Sequence, residues 1–270
     1  MHLLELELLL KQIEPQVIKI AETGLCLEGV QRMAEVYGAQ DWLKRSRQLQ
    51  PNDSEFLIEL AGRSCYRSFG VGLNPNVTKV RDNPRDYLQN VLEKGDGSIL
   101  EHDCVTFAFL NVSRIFTHEL VRHRAGTEIS QESLRYVRPR EIDIWLPPDL
   151  KTVSEEFAGT IEVIKTRYRD LESKFDWDKM SFEQKKRITS ALRRILPDGL
   201  ATNIVWTANH RTLRWVIEMR TDPSAEVEIR TVFGKVAEIC MKDYPILYSD
   251  FAPKQLSDGT FQYVPKFSKV

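Results

Sequence analysis

The segment RHRAGTEISQESLRY, residues 122–136, concentrates groups that bind anions. Within fifteen residues it holds three arginines, one histidine and three serine or threonine hydroxyls. Guanidinium groups paired with hydroxyls and backbone amides suit phosphate oxygens. Gln131 can both donate and accept a hydrogen bond, which suits a sugar hydroxyl or a base edge. We therefore expect Arg122, Arg124 and Arg135 to flank a polar turn that binds a phosphorylated ligand.

A second segment, NHRTLRWVIEMR at residues 209–220, places polar residues in an apolar helix. Asn209 and Arg211 precede the apolar stretch and Arg220 ends it. An arginine that is buried there needs a partner or a ligand. Glu226 or Glu228 would be a purely structural partner. Together the two segments predict a site for a nucleotide-like ligand.

Other chemistries have weaker support. The sequence lacks C-x-x-C, G-x-S-x-G and G-x-G-x-x-G motifs, so zinc, serine-hydrolase and dinucleotide fingerprints are missing. His118 and His123 are five residues apart and would diverge on a helix. Cys65 lies between Arg63 and Arg67, which would favour a reactive thiolate. We prefer the alternative, that Cys65 is a buried thiol on the apolar face of a helix.

Composition restricts the possible partners. The chain of 270 residues has 38 basic and 39 acidic residues, a net charge of −1, and general polyanion binding needs a basic excess. The start, MHLLELELLLKQIEP, lacks a basic leader and reads as a helix or strand of the mature protein. Because no apolar run approaches membrane-spanning length, we predict a cytoplasmic protein that binds neither nucleic acid nor membranes.

The order of predicted elements favours an α+β fold, with a mixed sheet packed against helices in one domain over residues 1–270. Strands and helices alternate without a regular βαβ rhythm. Periodicity predicts strands at 104–110, 142–147 and 203–210. Capping signals and 3.6-residue periodicity predict helices that start at 53 or 54 and at 84, and others at 111–124, 151–176, 181–196, 211–219 and 223–242.

RHR followed by a polar turn and S-x-R-Y closely resembles the signature of the flavin-dependent thymidylate synthases. Four more segments resemble that family in the same order along the chain. They are AGRSCYRSF, GDGSILEHDCVTFAF, LRRILP and WTANHRTLRWVIEMRTDPSAEVEIR. The resemblance covers roughly residues 54–235, and residues 25–50 look like an insertion.

The resemblance implies a reaction and an assembly. Reduced FAD, which receives hydride from NADPH, mediates methylene transfer from 5,10-methylenetetrahydrofolate to C5 of dUMP, giving dTMP and tetrahydrofolate. The protein positions the partners while the cofactor supplies the difficult chemistry. The family uses no enzyme cysteine on the pyrimidine, and we predict no metal site in this chain. It is homotetrameric with shared active sites.

Residue roles follow from the matched motifs. The residues assigned to the flavin are Ser98, Arg122, His123, Arg124, Gln131, Asn209, Arg211 and Trp215. Those assigned to dUMP are Glu119, Arg122, Gln131, Ser133, Leu134 through its backbone, Arg135, Arg193 and Arg220, with Ser133, Arg135 and Arg193 on the phosphate. Arg220 is the predicted catalytic residue, because a fixed guanidinium stabilises negative charge as the uracil ring becomes nucleophilic.

Three departures from the family pattern bear on the substrate. Eight residues separate Arg124 from Ser133, where the family has seven. Glu119 replaces the usual Gln, and Trp215 stands where Asn or His is usual. One alternative is C5-methylation of UMP, because Glu119 would accept a hydrogen bond from the ribose 2′-hydroxyl. The other is a non-catalytic homologue that binds a nucleotide or RNA.

Overall fold

The computed structural model describes residues 13–49, 52–139 and 141–268. Helices and strands are mixed along the chain, which confirms the predicted α+β class. The predicted N-terminal helix or strand lies largely outside the described residues. Each described helix is too short or too polar to cross a bilayer.

The described chain contains fifteen helices and strands, apart from short 3-10 segments. The helices are α1 (Leu27–Tyr37), α2 (Gln40–Leu49), α3 (Asp53–Tyr66), α4 (Pro84–Lys94), α5 (Arg114–Leu120), α6 (Ser154–Glu172), α7 (Phe182–Leu192), α8 (His210–Arg220) and α9 (Val227–Asp243). The strands are β1 (Gln16–Glu22), β2 (Cys104–Ser113), β3 (Thr127–Gln131), β4 (Ala201–Asn209), β5 (Phe251–Gln255) and β6 (Phe261–Pro265).

The strands form two sheets. One has four strands in the order β1-β2-β4-β3, and the other is the antiparallel pair β5–β6. Along β2 the alternation predicted from the sequence is present, with Val105, Phe107 and Phe109 fully buried.

Local capping signals were reliable guides to helix starts. Ser181 and Gln184 form the predicted capping box at the start of α7. Asn83 caps α4, and Pro84 is its first residue, as predicted. At α3 the cap is Asn52, whose side chain accepts from the Glu55 N–H at 3.0 Å, and not Asp53 or Ser54. These three helices therefore start where a side chain satisfies a free N–H group.

Two predicted elements were wrong. The helix expected over 111–124 is only α5, because β2 continues to Ser113, which caps the helix, and α5 ends at Leu120. The strand expected over 142–147 is reduced to one bridge between Ile144 and Leu200. The alternating apolar residues Ile142 and Ile144 are instead buried in a hydrophobic cluster. Pro147 and Pro148 lack the N–H groups that a longer strand pairing needs.

The expected polar turn after RHR was also wrong. Residues Thr127–Gln131 form β3, which lies at an end of the four-stranded sheet beside β4. A polar strand is stable there because its neighbour satisfies the backbone, while Glu128 and Ser130 face solvent and the alternate residues Thr127, Ile129 and Gln131 are partly buried.

By compactness the chain divides into two units. Of the described residues, the first unit contains 13–18, 108–123, 129–139 and 141–206, and the second contains 19–49, 52–107, 124–128 and 207–268. The prediction of one domain over the whole chain stays a prediction.

Each unit has hydrophobic clusters of its own. In the first unit Ile142, Ile144, Ala158, Ile161 and Leu200 form one. In the second unit helices α1 and α2 pack on α3. The buried members of that cluster are Val30, Ala34, Ala39, Trp42, Phe56, Leu60 and Phe69. Residues 25–50, predicted as an insertion, therefore contribute to the core of the second unit.

Candidate functional site

The second unit contains a cleft of about 410 Å³ beside the start of α8. Its lining combines a carboxylate, a guanidinium, an amide and a hydroxyl with one large aromatic ring. These residues are Glu101, Ala125, Gly126, Asn209, Arg211, Thr212 and Trp215. Asn209, Arg211 and Trp215 were assigned to the flavin from the sequence, so the fold brings these three together.

The first turn of α8 is fixed to the loop that precedes β3. Asn209 caps α8 by accepting from the Thr212 N–H at 2.9 Å. Its own N–H donates to the Gly126 carbonyl at 3.2 Å, and the Thr212 hydroxyl donates to the Ala125 carbonyl at 2.8 Å. Because an N-terminal helix turn carries partial positive charge and free N–H groups, this wall of the cleft favours an anionic ligand.

Gly126 fits this contact only because it lacks a side chain. Its φ of +67° is in the left-handed region. A Cβ there would lie 2.4 Å from Asn209 Nδ2 and 2.6 Å from Thr212 Oγ1. Any larger residue would push the loop away from α8 and change the cleft.

We predict that Gly126→Ala destabilises the protein by about 1–2 kcal/mol through backbone strain. It should also weaken flavin affinity at least about tenfold, because Asn209 must move. Gly259→Ala is the matched control, since Gly259 has a φ of +85° but a Cβ added there would have no neighbour within 4 Å. Urea denaturation and flavin titration of both variants would measure the two effects. Equal flavin affinity in the two variants would contradict this account of Gly126.

Charged and aromatic groups complete the cleft. Arg211 Nη1 lies 2.6 Å from Glu101 Oε1, and both side chains are about half exposed. An exposed ion pair contributes little free energy, so a ligand phosphate can replace Glu101 at low cost. Trp215 is 41% exposed and lies one helical turn after Arg211. Ser98 and Arg124 are exposed in the same unit but do not line the cleft.

His210, the first residue of α8, anchors the start of this helix in the protein interior. It is fully buried, with Nε2 2.8 Å from Asp103 Oδ2 and Nδ1 2.9 Å from the Tyr248 hydroxyl. Burial raises the pKa of Tyr248 well above its usual value, so the phenol stays neutral. The hydrogen bond to Tyr248 and the edge-on packing against the Tyr244 ring hold the buried His210 in place, and with it the neighbouring residues Asn209 and Arg211 at the cleft.

The residues of this cleft suit the flavin that the resemblance implies. The exposed Trp215 ring offers a flat apolar surface for a ring system. Arg211 and the α8 N-terminus suit phosphates, and Asn209 supplies a polar amide. The close approach at Gly126 holds these groups in place.

The first unit contains a second polar cavity of about 280 Å³, between Arg135 and α7. Arg135, Lys186, Arg187 and Ser190 supply cationic and hydroxyl donors, and Glu183 is the acidic member. Lys186 and Ser190 are one helical turn apart and share a face of α7. The arrangement suits a phosphate, the ligand expected for Arg135.

Other residues assigned to dUMP lie in the first unit without lining this cavity. Gln131 Nε2 donates to Thr117 Oγ1 at 3.1 Å, which orients its amide. Ser133 Oγ accepts from the Arg135 N–H at 3.4 Å. The remaining residues assigned to dUMP in this unit are Glu119, Arg122, Leu134 and Arg193, of which Arg122 and Arg193 are exposed.

His123, assigned to the flavin from the sequence, is 3% exposed and follows α5, so its side chain is buried in the first unit. Arg220 ends α8 and is half-buried. Glu226, suggested as its structural partner, caps α9 by accepting from the Glu228 and Ile229 N–H groups. Arg220 and Arg211 are separated along α8 by about 14 Å, at 1.5 Å per residue.

Sequence reasoning missed several residues of both cavities. Lys186, Arg187 and Ser190 could have been found from their helical spacing in a basic stretch next to LRRILP. Glu101 and Gly126 give weaker signals. A glutamate on a polar segment is common, and the need for a glycine becomes visible only when Asn209 is placed against it.

The prediction that Cys65 is a buried thiol on an apolar helix face was wrong. Cys65 is exposed, and its thiol donates weakly to the Ala61 carbonyl at 3.5 Å. Arg63 faces the interior instead, where it pairs with Glu59. Cys65 therefore lies on the solvent face of α3 while Arg63 lies on the core face.

We predict that Cys65→Ala keeps turnover within about twofold of wild type, with stability changed by less than about 0.5 kcal/mol, because a surface thiol with one weak contact contributes little. Cys26→Ala, also at an exposed cysteine, is the control for general surface effects. Steady-state turnover and urea denaturation would measure both variants. Complete loss of activity in folded Cys65→Ala protein would instead indicate a thiol mechanism.

The sequence of this chain matches a known family model and several named relatives. The family model described as thymidylate synthase complementing protein matches residues 48–246. The flavin-dependent thymidylate synthase of Corynebacterium diphtheriae is 35% identical over 216 residues, covering 77% of this chain and 83% of that protein. The enzyme of the same name from Mycobacterium sp. (strain JLS) is 33% identical over 224 residues, covering 76% and 82%. That from Mycobacterium tuberculosis is 35% identical over 215 residues, with the same coverage.

Proposed function

Because the chain belongs to the flavin-dependent thymidylate synthase family, we propose that it methylates dUMP at C5 to give dTMP. The carbon donor is 5,10-methylenetetrahydrofolate and the reductant is NADPH. FAD, when bound, supplies the hydride chemistry. The observation that carries this proposal is the family match across residues 48–246, a range that includes the lining residues of both cavities.

The cleft beside α8 is the proposed flavin site. Arg211 binds a phosphate in place of its ion pair with Glu101, and the side-chain amide of Asn209 donates a hydrogen bond. The Trp215 ring packs against an aromatic group of the cofactor. We propose that Ser98, Arg122, His123, Arg124 and Gln131 complete this site in the assembled protein.

The cavity beside α7 is the proposed phosphate site for dUMP. Arg135 binds the phosphate, Lys186 and Arg187 add positive charge, and Ser133 and Arg193 reach the phosphate from positions beside the cavity lining. Gln131, oriented by Thr117, presents its amide to the nucleotide, as do Glu119, Arg122 and the Leu134 backbone.

Arg220 is the proposed catalytic residue. Its guanidinium binds the uracil edge and stabilises negative charge on the ring as C5 becomes nucleophilic. About 14 Å of helix separates Arg220 from Arg211, so the two side chains contact different groups of the bound molecules. We propose that the protein is a cytoplasmic homotetramer in which one subunit's Arg220 serves a site completed by others.

Substrate identity is tested by measuring turnover on dUMP and on UMP with the same protein, folate and NADPH. We expect dUMP to be methylated with a kcat/KM about 100-fold higher, since a site shaped for deoxyribose gives the extra 2′-hydroxyl of UMP no hydrogen-bond partner. Faster methylation of UMP would overturn the choice of substrate but leave the reaction class intact.

A further inference from the structure

The second unit contains another cavity, of about 270 Å³, beside the loop of residues 74–81. It lies in the turn-rich segment GVGLNPNVTKVRDNPRD, for which the proposed reaction gives no role. Lys79 and Arg81 from the loop and Lys94 from the end of α4 line it. The cavity therefore has three cationic side chains around one concave surface.

The wall of this cavity is held by a buried arginine. Arg63, 1% exposed, donates to the Ser68 carbonyl at 2.8 Å and to the Arg81 carbonyl at 2.6 Å. Its guanidinium lies 4.3 Å from the centre of the Tyr87 ring. The loop is further fixed by Asn74 Nδ2, which donates to the Tyr66 carbonyl at 2.7 Å. Such anchoring presents the loop cations in a defined place.

The cavity has an excess of positive charge. Among the described residues, no carboxylate forms an ion pair with Lys79, Arg81 or Lys94, and Asp96 is the only acidic residue that lines the cavity. The charge of Arg63, which also lines it, is balanced by Glu59 at 2.7 Å. Three uncompensated cations against one carboxylate favour a ligand with two or more negative charges.

A short segment connects this cavity to the flavin cleft. Asp96 lines the cationic cavity and Glu101 lines the cleft, and the 3-10 segment Gly97–His102 lies between them. Five residues at about 2 Å each separate the two positions by roughly 10 Å. A substrate whose ring enters the cleft can therefore extend a charged tail into the cavity.

We propose that this cationic cavity binds the anionic tail of a second substrate, by ion pairs from Lys79, Arg81 and Lys94. This inference rests on the proposed function, which brings two such molecules to the flavin. One is the folate, whose glutamate chain carries carboxylates, and the other is NADPH, whose adenosine carries a 2′-phosphate. The shared chemistry is a flexible extension that carries at least two negative charges and is joined to a ring bound in the neighbouring cleft.

Kinetics with matched substrates tests this proposal and identifies the tail. We expect wild type to have a KM about tenfold lower for the pentaglutamyl than for the monoglutamyl folate if the tail is the carboxylate chain. If it is the phosphate, we expect the same ratio for NADPH against NADH. The triple variant Lys79→Gln, Arg81→Gln, Lys94→Gln should reduce that ratio to within about twofold, with the KM for dUMP unchanged.

The control triple variant is Lys44→Gln, Arg85→Gln, Lys254→Gln. These side chains are exposed in the same unit, so the net charge changes equally while the cavity is intact. We expect the control to keep the wild-type preference. The proposal would be overturned if wild type preferred neither pentaglutamyl over monoglutamyl folate nor NADPH over NADH. It would also be overturned if the cavity variant kept the wild-type preference.

A binding measurement separates this proposal from the reaction itself. Calorimetric titration of the flavin-free full chain with γ-linked pentaglutamate, and separately with pyrophosphate, needs no turnover. We expect at least one of them to bind wild type about tenfold more tightly than the cavity variant. Equal binding by both proteins would overturn the cavity proposal, whereas absence of turnover with tight anion binding would contradict only the proposed reaction.

Discussion

Arg220→Ala should reduce methyl transfer to dUMP at least about 100-fold while FAD stays bound. Removing one preorganised donor aimed at developing charge typically costs about 10²–10³ in turnover. Arg220 ends α8, at the opposite end from Asn209 and Arg211, so flavin affinity should change little. Single-turnover conversion of dUMP, with the flavin content of each preparation, would measure both quantities.

Met219→Ala is the matched control for this prediction. Met219 precedes Arg220 on α8 and is 43% exposed, so truncating it tests any general effect of altering the end of the helix. We expect Met219→Ala to keep turnover within a few-fold of wild type. Turnover of Arg220→Ala at that same level would show that another residue stabilises the charge on the pyrimidine.

Glu59→Gln should destabilise the protein by about 3–5 kcal/mol, the usual cost of removing one partner of a buried ion pair. Glu59 is fully buried and accepts from Arg63 Nε at 2.7 Å, Ser46 Oγ at 2.7 Å and Trp42 Nε1 at 3.3 Å. The glutamine is similar in size, but it leaves the Arg63 guanidinium buried without a compensating charge. Urea denaturation at fixed protein concentration would measure the free energy of unfolding.

Ser46→Ala is the control that measures the loss of one hydrogen bond to Glu59 without loss of its charge. It removes one hydrogen bond to Glu59 but leaves the ion pair, so we expect a loss of about 1–2 kcal/mol. Since Ser46 and Trp42 belong to residues 25–50, both variants also test whether that segment stabilises α3. Equal, small effects of the two substitutions would show that the buried pair contributes little.

The sequence predicted those parts of the fold that depend on local chemistry. Ser181 with Gln184 identified the start of α7, and the alternation of Val105, Phe107 and Phe109 identified β2. In each case the signal lies within a few residues of its effect. The α+β class follows from such elements, whereas the order β1-β2-β4-β3 depends on long-range pairing that no local pattern encodes.

Errors arose where tertiary context overrides local preference. Thr127–Gln131 is polar enough to read as a turn, yet it forms β3 because β4 is available as a neighbour. Cys65 and Arg63 are two residues apart on α3, and periodicity alone did not reveal that the arginine is the buried one. Its burial becomes favourable only with Glu59 as a charged partner.

The sequence singled out residues with distinctive chemistry, and the fold brings some of them together in cavities. Asn209, Arg211 and Trp215 line one cleft, and Arg135 lines a second cavity. The sequence could not predict which other residues surround them in the folded protein. Lys186 and Arg187 contribute through the geometry of α7, and the requirement for glycine at 126 follows from a close contact between distant parts of the chain.

The most direct measurement is to identify the chromophore of the purified protein. We predict that it shows the visible absorption of an oxidised flavin, that denaturation releases FAD, and that NADPH bleaches the bound flavin in the absence of oxygen. A colourless protein that also fails to bind added FAD would contradict the flavin-dependent reaction. The two polar cavities would then be sites for phosphorylated ligands alone.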